Sequence, residues 1–496
     1  MTSDTLDLTQ TAFEPVMGLE VHVQLATQSK LFSEAPNHFG DAPNTNISPV
    51  CLGLPGTLPV LNGKALEFGI RLGLALNCQI AHLTKFDRKQ YFYPDLPKAY
   101  QISQYDEPIC QNGHMVLSNG RKIRILRAHL EEDAGKLVHG GAEGLHGSSH
   151  SLADYNRAGT PLLEIVTEPD FRTSEEAREY LTRLRMLVRY LGVSDGNMEE
   201  GSMRCDANVS VRPVGSDKLG TKAEVKNMNS FRSVQRAIDS EVARQIEVIQ
   251  SGGRVIQESR LWHEATGTTA SMRSKEEAHD YRYFPEPDLP LMAIDPAWVE
   301  ALRKTQPELP EARLERLKSQ FMLSDYDASV LVESKDLGDF FLSTADYVQA
   351  PAQFKAVANW LQGDISGWLK HADLNPDRLE LMQTKLTPQA LAEMVALVEA
   401  GTISNAIAKK IIVTLLTEGG SPKVIVDSQG LAQVSDEGAL KTTIADILAA
   451  NASQVAAYRA GKDKLFGFFV GQAMKATQGR ANPEVLNALL KAALDG

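Results

Sequence analysis

The feature that most narrows the fold of this chain is a set of short stretches in which apolar residues alternate with charged or amide residues. In Val16 to Leu25, VMGLEVHVQL, positions 17, 19, 21, 23 and 25 are Met, Leu, Val, Val and Leu, while the intervening positions include Glu20, His22 and Gln24. Successive side chains of a strand project to opposite faces, so this segment reads as a half-buried strand with an acid and an imidazole on its front. In SMRCDANVSVRP, Met203, Cys205, Ala207, Val209 and Val211 form one face, and Arg204, Asp206, Asn208, Ser210 and Arg212 form the other. GTKAEVKNMNSF places Lys222, Glu224 and Lys226 on one face, ahead of Asn227 and Asn229. Strands of this kind must join in a sheet that buries their apolar backs, and one wet face is the ordinary state of an antiparallel sheet.

The texture of the chain changes once. As far as about residue 295 it holds short alternating runs broken by Gly, Pro and Asn, together with helical patterns at SEEAREYLTRLRMLVRYLG and SVQRAIDSEVARQIEVIQSGG. That combination predicts an α+β fold around a mixed or antiparallel sheet. After PEPDLPLMAIDP the strand patterns stop. Thr387 is placed to cap a helix with Pro388 at its first position; Leu391, Met394, Val395 and Val398 follow at three- and four-residue spacing, and Gly401 ends it. The second half is therefore expected to be all α, in two units. The 496 residues suit about three domains, drawn here as 1–295, 296–405 and 406–496.

Composition bounds the setting. The start, MTSDTLDLTQTAFEP, lacks a basic region followed by an apolar one, and no stretch offers the ~18 apolar residues of a membrane span, so a cytoplasmic protein without a membrane partner is expected. The four cysteines, Cys51, Cys78, Cys110 and Cys205, are far apart with no C-x-x-C pair, which argues against a zinc knuckle or a disulfide framework. A net charge of −12 disfavours indiscriminate nucleic-acid binding, although a local basic surface still works on an acidic protein.

The acids of the first half are unusually placed. RAHLEEDAGK carries Glu131, Glu132 and Asp133 in succession, for which a solvated turn is the plain explanation. Glu164 lies within Leu162, Leu163, Ile165 and Val166, where an unpaired carboxylate costs several kcal/mol and demands a cation or a proton. Carboxylates, one histidine and amides recur on the strand fronts, which is the ligand chemistry of a hard cation such as Mg²⁺. Beside them KFDRKQYFYPDLPKAY interleaves Lys85, Arg88, Lys89 and Lys98 with Tyr91, Phe92, Tyr93 and Tyr100, a mixture suited to a nucleotide or an RNA end. A basic loop with core aromatics is the alternative. There is no G-x-x-x-x-G-K-[ST] loop, no G-x-G-x-x-G after a strand and no G-x-S-x-G elbow, so P-loop, Rossmann and nucleophilic-hydrolase readings are disfavoured.

Taken together, GLEVHVQL, KFDRKQYFYPDLPKAYQISQYD, HLEEDAGK, NRAGTPLLEIVTEPD, GSMRCDANVSVRP, EVKNMNSF and DYRYFPEPDLP resemble the successive motifs of the B-subunit family of aspartyl/glutamyl-tRNA(Asn/Gln) amidotransferases, the GatB family. The resemblance continues through KLTPQALAEMVALVEAGTISNAIAKKI and GKDKLFGFFVGQAMKATQGRANP, and residues ~345–495 resemble a YqeY-like module. It implies a sheet-based cradle (1–295), a helical domain (296–405) and a helical tail that binds tRNA (406–496). It further implies that ATP and Mg²⁺ phosphorylate the side-chain carboxylate of a mischarged Glu-tRNA(Gln) or Asp-tRNA(Asn), and that ammonia then displaces the phosphate. The expected metal ligands are Glu20, His22, Glu131, Glu132 and Glu164, with Asp206 a weaker candidate; Glu20, His22 and Glu164 are the expected catalytic set. Lys89 and Lys226 are expected on phosphate, with Asn208 beside the nucleotide. Ser48 stands where some members carry a second cysteine three positions before Cys51, so zinc is not expected. Ammonia would come from an amidase, the A subunit, and a small C subunit would make up a heterotrimer. Lys462, Lys464, Lys475 and Arg480 are the expected tRNA contacts. A non-catalytic tRNA-binding scaffold and a Mg²⁺-dependent ligase for a small metabolite are the alternatives.

Overall fold

A computed structural model describes residues 12–140, 150–272, 281–371, 380–433, 437–477 and 481–495. Two compact units result, Met1–Leu309 and Pro310–Gly496.

The first unit is built on one twelve-stranded sheet among the described residues. In chain order its parts are β1 (Phe13–Gln24), α1 (Gly63–Ala75), β2 (Asp87–Gln90), β3 (Tyr100–Ser103), β4 (Cys110–Val116), β5 (Lys122–Glu132), β6 (Pro161–Thr167), α2 (Ser174–Tyr190), β7 (Met203–Pro213), β8 (Ala223–Lys226), α3 (Phe231–Gln250), β9 (Ser259–His263), β10 (Thr268–Ser271) and β11 (Phe284–Pro285). The strand order is β10-β9-β8-β7-β1-β6-β5-β3-β2-β11, and β4 branches off to pair with β5 and with the twelfth strand, the two-residue Gln79–Ile80. β8 and β9 run parallel, whereas β1 is antiparallel to both neighbours, so the sheet is mixed and the unit is α+β.

The alternation read from the sequence is what the sheet uses. Met17, Leu19, Val21, Val23 and Leu25 are each at most 1% exposed. They share a buried cluster with Tyr180, Leu181 and Leu184 of α2 and with Val234, Ile238 and Val242 of α3. Burying one such side chain is worth about 1.5–3 kcal/mol, so this back decides which way β1 faces. α2 starts in a capping box: the Thr173 hydroxyl accepts from the Glu176 amide at 3.2 Å, and the Glu176 carboxylate accepts from the Thr173 amide at 3.3 Å. One detail differs from the sequence reading: β8 spans only Ala223–Lys226, so Lys222 lies before the strand.

The second unit contains helices and, among its described residues, no strand. Helix α4 (Pro388–Glu399) begins at Thr387, whose hydroxyl accepts from the Ala390 amide, and buries Leu391, Met394 and Val395. The chain leaves it through Gly401 at φ +66°, a left-handed conformation that glycine adopts without a Cβ penalty. Farther on, α5 (Glu437–Ala450), α6 (Leu465–Ala476) and α7 (Pro483–Asp495) enclose a core of Leu440, Ile444, Phe469, Ala473, Leu486, Leu490 and Leu494. No helix among the described residues is long and apolar enough to cross a membrane.

Candidate metal and phosphoryl-transfer site

Sheet register creates the site. In the antiparallel ladders His22 of β1 lies opposite Arg204 of β7 on one side and Glu164 of β6 on the other, and Glu164 lies opposite His129 of β5. Four neighbouring strands thus contribute one continuous row, Arg204–His22–Glu164–His129, at the inter-strand spacing of roughly 4.8 Å. Glu20 and Glu131 lie two residues along from His22 and His129, on the same faces. His22 Nε2 lies 3.3 Å from Glu164 Oε2, 3.7 Å from Glu20 Oε1 and 3.8 Å from Glu131 Oε1. Exposure falls from 28% at Glu20 through 17% at His22 to 8% at Glu164 and 3% at Glu131, so the cluster runs from the surface inward.

Its electrostatics are those of a site short of positive charge. Burial first, then the carboxylate of Glu164, pushes Glu20 up to about 7. Burial opposes protonation of His22, but its hydrogen bond to Glu164 and the charges of Glu164, Glu131 and Glu20 outweigh this and push it up to about 9. Glu164 is itself held below the usual carboxylate range: burial works against ionisation, and His129, His22 and Lys89 overcome it. The cluster therefore recruits protons onto Glu20 and His22. The ligand atoms of Glu20, His22 and Glu164 lie within 4.8 Å of one another, and oxygen with a single imidazole nitrogen is a donor set that suits a hard divalent cation. Such a cation would take the place of those protons.

Asp133 braces one end of the row. Its Oδ2 accepts from Arg204 Nη2 at 2.8 Å and from Gln24 Nε2 at 2.8 Å, and Arg157 Nε lies 3.6 Å away. Burial raises its pKa, but Arg204, Arg157 and the Gln24 hydrogen bond more than compensate and hold it below the usual range. The stabilisation from a depressed carboxylate is complete above its unfolded pKa of about 3.9 and is lost as pH falls through the lower folded value. Asp133→Asn is accordingly expected to cost about 1–3 kcal/mol at pH 7 and to flatten the acid limb of the stability profile below about pH 4. Urea unfolding at the two pH values checks this; an unchanged acid limb in the variant would refute it.

The remaining expected residues divide. Glu132 is not brought into the cluster: it points away from Glu131, pairs with Lys98 and accepts from the Ile102 amide at 3.0 Å. Asp206 lies opposite Glu20 in the ladder but accepts from Lys226 Nζ at 2.7 Å. Lys226 also meets Glu224 at 2.9 Å, and although burial opposes its charge, Asp206 and Glu224 hold it above the usual lysine range. Asn208 lies one step on from Asp206 along the same face, opposite Gly18. Lys89 reaches the site from β2; its Nζ lies 5.0 Å from the centre of the Tyr281 ring, and, against burial, Glu131 holds its pKa high. Tyr281 and Tyr283 meet at 6.0 Å, and Tyr283 stacks on Tyr105 at 4.1 Å. His129, Arg204 and these tyrosines join the cluster without having been singled out as site residues. For His129 the signal was present, since it sits two positions before Glu131 on a strand. Tyr281 and Tyr283 lie in the DYRYFPEPDLP motif and Tyr105 in KFDRKQYFYPDLPKAYQISQYD, but nothing local in either stretch tied these rings to Lys89. Of the basic tail residues, Lys462, Lys464 and Lys475 are exposed, whereas Arg480 lies outside the described residues.

The family of GatB/GatE catalytic domains matches residues 15–300, which hold the cluster and all of the sheet except the first two residues of β1. The chain belongs to this family. A GatB domain family also matches residues 339–494 of the helical unit. Among similar proteins, the B subunit of the aspartyl/glutamyl-tRNA(Asn/Gln) amidotransferase of Thermosynechococcus vestitus is 53% identical, with 98% of this chain and 97% of the relative covered. The B subunit of the Synechococcus elongatus enzyme is 54% identical over 98% and 99% of the two chains. That of Trichlorobacter lovleyi is 53% identical over 98% and 100%. The likeness thus runs the length of both GatB units, as the motifs had implied.

Proposed function

We propose that the chain is the B subunit of a tRNA-dependent amidotransferase and that the Glu20–His22–Glu131–Glu164 cluster is where it activates the aminoacyl carboxylate. The enzyme is a ligase that forms a carbon–nitrogen bond with glutamine as the amido donor. One observation carries the reading: a family catalytic domain brings four ionisable groups from four strand positions into one charge-deficient cluster with Lys89 beside it.

The side-chain carboxylate of Glu-tRNA(Gln) or Asp-tRNA(Asn) attacks the γ-phosphorus of ATP and ADP leaves; ammonia then attacks the acyl carbon and phosphate departs, giving the amide. Glu20, His22, Glu131 and Glu164 would hold Mg²⁺, which supplies neutralisation of the developing charge on the transferred phosphoryl group. Lys89, kept charged by Glu131, meets phosphate oxygens, and Lys226, oriented by Asp206 and Glu224, meets them from the far side. Asn208 offers an amide to the nucleotide beside Lys226. Tyr281 and its neighbours shield the face next to Lys89 and keep water from the acyl phosphate. The chain's contribution is geometry and charge.

Ammonia has to be generated elsewhere, because no hydrolase signature is present in the sequence. A glutaminase (the A subunit) together with a small C subunit makes up the rest of the complex. The helical half divides near residue 405, and the tail beyond it, which has its own core, carries the tRNA body. The purified chain is expected to release no glutamate from glutamine, whereas the complex does so and still amidates its tRNA when ammonium salt replaces glutamine. Glutaminase activity in the pure chain, or failure of ammonium to support amidation, would refute this division of labour.

A further inference from the structure

Two adjacent residues of the edge strand β2 serve opposite faces of the sheet. Successive side chains of a strand alternate, so Lys89 faces the cluster while Arg88 points away from it. Arg88 grips Glu286, whose side chain is fully buried: Nε donates to Oε2 at 2.7 Å and Nη2 to Oε1 at 2.8 Å, a two-pronged charged pair. The guanidinium also lies 4.2 Å from the centre of the Tyr100 ring. Glu286 in turn accepts from the Asp288 amide at 3.1 Å, and its own amide donates to the Phe86 carbonyl at 2.9 Å. The pairing that this grip reinforces is slight. β11 is two residues long, both residues are exposed, and Pro285 has no N–H to give to the ladder.

Immediately before β11 the same segment lays its rings over Lys89. Tyr281 meets Tyr91 at 6.1 Å, and Tyr283, stacked on Tyr105, continues the row. Arg282 between them stands at φ +44°, a conformation that a residue with a Cβ keeps only where its surroundings impose it, and Gln90 Nε2 donates to its carbonyl at 2.9 Å. The segment thus crosses the edge of the sheet, held from behind by Arg88 and presenting aromatic rings in front.

We propose that Glu286, acting through Arg88, is the positioning residue that holds the Tyr281–Tyr283 rings over the reacting acyl group and so decides whether ammonia or water consumes the acyl phosphate. This rests on the reading of Lys89 as a phosphate contact beside that group. Ammonia attacking the acyl carbon expels phosphate and leaves the amide. Water attacking the same carbon also expels phosphate, passes a proton to solvent and returns the carboxylate, so ATP is consumed without an amide. Rings fixed over Lys89 exclude water, whereas rings freed from their anchor admit it.

The test counts phosphate released and amide formed by the assembled complex with mischarged tRNA and ATP, across a series of ammonium concentrations. The wild type is expected to form about one amide for each phosphate. Glu286→Gln keeps the volume of the side chain but loses its charge; it is expected to release phosphate within about threefold of the wild-type rate while amide per phosphate falls about tenfold, and the ratio is expected to recover as ammonium rises, because ammonia and water compete for one carbon. Arg88→Lys, which keeps the charge but not the fork, is expected to change the ratio in the same direction and decides the matter if Glu286→Gln does not assemble. Amide and phosphate that fall in proportion, or a ratio that stays at the wild-type value in both variants, overturn the positioning role. A wild-type complex that releases no phosphate on meeting mischarged tRNA and ATP overturns the acyl-phosphate reading itself, and this role with it.

Discussion

Glu164→Gln is expected to fold as the wild type does and to lose ATP-dependent amide formation by at least about 100-fold. The amide keeps the volume and one acceptor oxygen of the carboxylate, so packing among Leu162, Leu163 and Ile165 is retained, but the charge that His22, His129 and Lys89 face is gone. His22→Ala removes the group that touches Glu20, Glu131 and Glu164 together and is expected to have a comparable effect. The measurement is turnover of mischarged tRNA by the assembled complex across a Mg²⁺ series, with circular dichroism and tRNA affinity as controls. Loss through a weakened ion is partly recovered at high Mg²⁺, whereas loss through misfolding is not. A folded variant that keeps wild-type turnover at limiting Mg²⁺ would remove that residue from the site.

Replacing Lys462, Lys464 and Lys475 together by glutamine is expected to weaken tRNA binding and to reduce the slope of log affinity against log salt by about 2–3, at roughly 0.7–0.9 for each phosphate no longer neutralised. Between Tyr458 and Arg480 five basic residues stand against one acid, Asp463, in a chain of net charge −12. The fold separates their roles. Arg459 donates to the carbonyl oxygens of Leu494 and Ala493 and so serves to close α7, whereas the three lysines are exposed. Lys464, Gly467, Gly471 and Lys475 recur at helical spacing along α6, and a Cβ at either glycine would meet open space, so a flat strip between two cations is available to a phosphate backbone. Glutamine hydrolysis without tRNA should be unaffected. An unchanged salt slope in a correctly assembled triple variant would mean that these lysines do not contact tRNA.

The two units were legible to different degrees. Period-2 alternation in β1 and β7 assigned Glu20, His22, Asp206 and Asn208 to one face, because burying five apolar side chains on the other leaves no competing register. Capping chemistry located α4 by Thr387, Pro388 and Gly401. Glu132 shows the limit of that reasoning. It sits beside Glu131 in sequence and is just as acidic, yet alternation along β5 turns it towards Lys98 and the Ile102 amide, so that charge alone does not place it in the cluster.

What the sequence determined by itself was local: strand faces, helix boundaries, the change from sheet to helices, and a Glu164 whose apolar surroundings required a partner. The tertiary structure decided which partner. His22, Glu164 and His129 are separated by more than a hundred residues at one step and by tens at the other, and they meet only because β1, β6 and β5 are neighbours with Glu164 in register between the two histidines. Alternation specifies the direction of a side chain from the chain's own backbone, whereas strand order is set by which apolar backs pack together on α2 and α3. The same long-range pairing carries Tyr281 and Tyr283 to Lys89, because β11 adds to the sheet edge at β2.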